Sequence, residues 1–142
     1  MTVLLTLFLF LAAPVPATLD QVKAEPNPEH RARAAVDFAA AAEKGAETAF
    51  SNSDMTAVGT FLNTMKESME VARDSLIASR KTPGRDPNIY KYAEQHSREI
   101  LVRLEDLQRR MFSDDRDMVS APKASVQEIH DAWFEGIMGR KK

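Results

Sequence analysis

The sequence predicts an all-α protein and, more narrowly, an antiparallel up-down four-helix bundle. Three observations carry this. Apolar residues recur at steps of three and four along extended segments, turn-forming residues are confined to a few short clusters between them, and no alternating strand pattern competes.

The elements follow in order. Residues 1–17 carry no charge, and Val3 to Ala13 is an apolar run interrupted only by Thr6. As a helix it would extend only about 16 Å, short of a bilayer core of roughly 30 Å. Pro14 and Pro16 end the run, and Val15 and Ala17 occupy the small-residue positions of a cleavage site. The layout is that of a secretory signal peptide, with Thr18 as the first mature residue. Only the terminal amine precedes the run, where Lys or Arg is usual, which fits a weak signal or a start further upstream. With no Cys at the cleavage point, the product is expected to be exported to the periplasm or medium as a soluble chain.

Residues 18–27 read as a short extended segment, and 28–142 as the bundle domain. Asn27 followed by Pro28 supplies an N-cap and a first helical residue that needs no backbone partner. The first helix, 28–51, is Ala-rich, with Phe38 and Phe50 as its large anchors, so partner helices can approach closely. Ser51 with Asp54 is a capping-box variant that starts a second helix over 54–79. Its stripe is Val58, Leu62, Met65, Met69, Ala72 and Leu76. Thr82-Pro83-Gly84-Arg85 fits a type II turn, and Asp86-Pro87 repeats the capping arrangement ahead of a third helix over 87–111. There the stripe is Ala93, Ser97, Ile100, Leu104, Leu107 and Met111. Four acids in this helix, Glu94, Glu99, Glu105 and Asp106, stand four residues before an Arg, the spacing of a solvated, self-paired face. The last helix, 117–138, carries Val126, Ile129, Trp133 and Ile137 on one face. Pro122 near its start is tolerated only in the first turn or at a kink. Helices of 22–26 residues are about 33–39 Å long, and matched lengths with short loops imply antiparallel neighbours.

The chemistry is mostly exclusion. Against 21 Asp+Glu stand 19 Lys+Arg, a net charge of −2 that offers no field for nucleic acid or an anionic membrane. No Cys means no disulfide, thiol nucleophile, iron–sulfur cluster or covalent haem. The five Gly build neither a dinucleotide fingerprint nor a phosphate loop. Ser120 to Lys123 matches Ser-x-x-Lys, yet the Ser-Asp-Asn and Lys-Thr-Gly partners of that chemistry are missing, and Ser120 reads as a helix cap. For metals, Glu-x-x-His is absent, His96 with Glu99 has the reversed order, and Glu128, His130 and Asp131 stand too close in sequence to converge on one ion. Met65 and Met69 read as core filler, His30 as a solvated first-turn residue, and Arg80-Lys81 and Arg140 to Lys142 as charge complementing helix C-termini. No metal and no cofactor is expected.

Leu19 to Pro28, Val126 to Asp131 and Gly136 to Gly139 together resemble a family of small secreted all-helical bacterial proteins of unknown function. The resemblance implies export and an all-helical fold, and it assigns no activity and no site residues.

These readings converge on an exported, non-enzymatic helical bundle acting as an interaction or scaffold protein in the cell envelope. Its partner would be a protein, with a homodimer also open. The recognition residues would be Trp133, Phe134, Ile129, Ile137 and His130 if Pro122 unhinges the last helix. If that helix packs, Trp133 is buried and the partner surface lies elsewhere. The alternative is a bundle that binds a small ligand or metal, with His96 and His130 as the polar groups of an interhelical pocket.

Overall fold

The computed structural model describes residues 18–139, so the signal-like segment 1–17 and the basic end from Arg140 to Lys142 lie outside the described residues. Five helices pack against one another, and no strand occurs among the described residues. They are α1 (Leu19–Lys23), α2 (Pro28–Ser51), α3 (Met55–Ala78), α4 (Pro87–Arg110) and α5 (Asp117–Met138).

Helix α1 corrects the extended segment expected before Pro28. Thr18 caps it by accepting from the Gln21 N–H at 3.2 Å, and Val22 is fully buried where α1 packs on α2 and α3. Two apolar residues in five, Leu19 and Val22, are too few for a period to register in the sequence.

The cap of α2 is as expected: Asn27 Oδ1 accepts from the N–H groups of Glu29 at 3.0 Å and His30 at 3.1 Å. Asn27→Ala should therefore cost about 1 kcal/mol of stability. A urea midpoint unchanged by the substitution would show that water serves those donors equally well. At the next junction Ser51 is the last residue of α2 and Ser53 takes a positive φ, so Asp54 alone caps α3, accepting from the Ala57 N–H at 3.0 Å. Asp86 departs from its expected role. Its carboxylate accepts from the Thr82 N–H and steadies the preceding turn, leaving α4 without a side-chain cap. Nor is that turn type II: Arg85 N–H reaches Thr82 O at 3.1 Å, but Gly84 lacks the positive φ that a type II turn requires at its third residue.

The stripes read from α3, α4 and α5 all face inward. Every named stripe residue is buried, except Ile137, which is half-buried. In α2 the expectation about anchors fails. Phe38 and Phe50 are only half-buried, and the inner face is Ala32, Ala35, Val36, Ala39, Ala42, Ala46 and Ala49. Such a thin face lets α3 lie close. At Gly45 an added Cβ would come within 2.6 Å of the Phe61 ring.

Pairwise contacts give the directions. Arg31 Nε donates to Ser75 Oγ at 2.8 Å near one end of α2 and α3, while Gly45 meets Phe61 towards the other end, so these two helices are antiparallel. Helices α4 and α5 are also antiparallel, with Glu94 beside His130 and Gln108 beside Ser120. The consecutive pair α3 and α4 are not packed neighbours; instead α4 lies along α2, and α5 along α3. This differs from the expected order, in which each helix packs on the next. The reason lies in residues 79–86, which cross one end of the molecule. Lys81 pairs with Glu29 at the start of α2, Lys81 O accepts from Tyr90 Oη at the start of α4, and Pro83 packs on Gly136 near the end of α5.

Helix α5 runs unbroken through Pro122, its sixth residue. The proline withholds one N–H from the ladder, and side chains tie this end down. Gln108 Nε2 donates to Arg116 O and Ser120 Oγ, both at 3.0 Å, and Arg116 Nε donates to Met111 O. Ser120 is thus an exposed residue within the helix rather than its cap, and Lys123 reaches Gln108 rather than Ser120.

Candidate functional site

Helices α2 and α4 run parallel, as the partners along them show: Tyr92 with Asp37, Arg103 with Glu43, and Arg110 with Glu47. Parallel neighbours set like helix dipoles side by side. Here a ladder of opposite charges joins them, and Arg110 also lies 5.6 Å from the centre of the Phe50 ring.

Between these rungs lies a cleft of about 310 Å³. Helix α2 contributes Asp37, Glu43 and Lys44 above a floor of Ala40 and Ala41, and α4 contributes His96, Glu99, Ile100 and Arg103. Glu43 is its decisive member. The side chain is 0% exposed, and neither carboxylate oxygen accepts a hydrogen bond. The nearest cation, Arg103 Nη1, is 3.8 Å from Oε2, too far for one. Burial, reinforced by Glu47 one turn along, pushes the Glu43 carboxyl up to about 7 against the pull of Arg103, Lys44 and Arg110. Near neutral pH this acid is poised between its charged and neutral forms.

One end of the cleft is held by an aromatic knot. Tyr92 donates to Asp37, the Arg33 guanidinium sits 4.2 Å from the centre of the Tyr92 ring, and the His96 ring centroid lies 4.0 Å from it. Burial, with Asp37 accepting its hydroxyl proton, raises Tyr92 to about 12, so it remains a neutral donor. His96 Nδ1 is 2.9 Å from Tyr92 O, and since a carbonyl can only accept, Nδ1 carries the proton. In the neutral imidazole Nε2 is then a free acceptor.

The sequence-predicted residues separate. His96 lines the cleft, whereas His130 sits in the α4–α5 seam with ring nitrogens 3.2 Å from Glu94 and from Asp131. Positions 94 and 96 are about 200° apart around α4, so the two histidines do not share a pocket. Of the expected recognition residues, Trp133 and Ile129 are buried and Ile137 is half-buried, which is the packed form of α5; Phe134 is the exposed one. Arg98, Arg109 and Arg110 pair along α4 as their spacing predicts, but Arg103 turns from Glu99 to Glu43 on another helix. Sequence reasoning missed Glu43, although a signal existed: it lies four residues after Ala39 and three before Ala46, on the Ala stripe itself. Among the described residues no three His, Asp or Glu converge as a metal set. No protein-family model, curated protein or solved structure matches the chain, so the cleft is interpreted from its own chemistry.

Proposed function

We propose that this is an exported, non-enzymatic helical binding protein in which α2 to α5 form a four-helix bundle that scaffolds one small-ligand site, the α2–α4 cleft. One observation carries the reading. A buried carboxylate with no hydrogen bond costs several kcal/mol if charged, and such groups are rarely kept without a partner. A ligand bringing donors into the cleft supplies that partner. His96 belongs to this site, and His130 is a structural tie between α4 and α5.

The test is a thermal-shift and ¹⁵N chemical-shift screen of the protein against small cations, anions, zwitterions and divalent metals. A binder at 100 times its dissociation constant should add about 2.7 kcal/mol. Its shift changes should centre on residues 37–44 and 92–103, and a panel that moves neither the melt nor those resonances counts against the site.

Export rests on the layout of residues 1–17, and intact mass of protein recovered from the periplasm or medium should match a chain starting at Thr18. Recovered protein that keeps Met1 to Ala17 would contradict it. No described helix is long and apolar enough to cross a membrane.

A further inference from the structure

Resting on the cleft reading above, we propose that the occupant is a small zwitterion of the α-amino-acid type, its ammonium on Glu43 and Glu99 and its carboxylate on Arg103 and Lys44. The unfilled acceptors come first. Both oxygens of the fully buried Glu43 lack a donor, and His96 Nε2 is left as a third acceptor once Nδ1 is committed to Tyr92 O. A ligand must therefore bring N–H groups.

The cations then narrow its class. Arg103 and Lys44 make no hydrogen bond to another side chain among the described residues, and both line the cleft with Asp37, Glu43 and Glu99. A lone amine would meet two positive charges, and a lone carboxylate would meet three acids. A ligand carrying both charges presents each group to its opposite.

Spacing and size agree. Glu43 Oε2 and Arg103 Nη1 are 3.8 Å apart, a spacing similar to that between the ammonium and carboxylate that one carbon holds together in an α-amino acid. The cleft's volume of about 310 Å³ is at the lower end of small-molecule sites, roughly 300–1,000 Å³. Ala40, Ala41 and Ile100 offer an apolar seat for a short side chain. Arg103 is the part free to move aside, since its side chain is 41% exposed while the Glu43 oxygens are covered.

Calorimetric titration and ¹⁵N shift mapping of the whole protein at pH 8 test this with L-alanine and L-leucine. Ethylamine lacks the carboxylate, N-acetyl-L-alanine lacks the ammonium, and phosphate and Mg²⁺ serve as unrelated ions. The zwitterions should bind with shifts centred on residues 37–44 and 96–103, and each single-charge analogue should bind at least tenfold more weakly. Glu43→Gln and Arg103→Gln should each weaken L-alanine or L-leucine binding at least tenfold. Glu99→Gln, at an exposed position that does not endanger the fold, should weaken it severalfold. Ethylamine binding as tightly as the amino acids overturns the proposal, as does zwitterion binding outside the cleft. If phosphate or Mg²⁺ alone binds there, the zwitterion is wrong and the cleft reading stands. If no probe binds, both fall.

Discussion

Trp133→Ala should lower the unfolding free energy by about 3–5 kcal/mol, among the largest single losses available in this chain. The indole is 5% exposed on the inner stripe of α5, with Val126 and Ile129, where α5 packs on α3 and α4. Truncation removes the transfer free energy of a large aromatic and leaves a cavity that flanking helices cannot close without shifting. Urea unfolding followed by circular dichroism measures the loss. In the native protein Trp133 should emit in the blue and resist quenching. A cost below about 1 kcal/mol with a freely quenched indole would mean that α5 is not packed in solution.

Glu43→Gln should do the opposite, and only at higher pH. The native carboxyl titrates near 7 against an ordinary value of 4.5, so between those values the folded state holds more protons than the unfolded chain. Stability then falls as pH rises from about 4.5 to about 7 and levels off above. A shift of that size corresponds to about 3 kcal/mol. Gln keeps the shape and cannot ionise, so the variant should match the native protein near pH 4.5 and exceed it by up to about 3 kcal/mol at pH 8. Denaturation midpoints across that range check this. Parallel curves for the two proteins would show that Glu43 is solvated or already partnered.

The two predictions fall on opposite sides of what the sequence discloses. Trp133 was legible because a stripe stepping by three and four needs no knowledge of the partner helix, and the same holds for Leu62, Met69, Ile100 and Leu104. Capping was legible at Asn27, where the acceptor serves donors two and three residues away. Asp86 failed the same reading because its carboxylate had a competing donor at Thr82. The site was illegible for a related reason. Arg103 stands four residues from Glu99 and pairs instead with Glu43, sixty residues away in sequence, and local spacing carries no information about such a choice. Helix order was hidden too. A connection of the length of 79–86 can join adjacent or opposite helices, and the anchors that decide, Glu29 and Gly136, lie far from it in the chain.

The crossing at 79–86 makes the molecule two helical hairpins, α2 with α3 and α4 with α5, joined by a single covalent bridge. Each hairpin closes over a short loop, at little entropic cost. Contacts between the hairpins are all distant in sequence, so their docking is the slower, more collective step. The cleft lies on this docking seam. Its walls belong to different halves, α2 in one hairpin and α4 in the other, so the site is complete only once the two hairpins have docked.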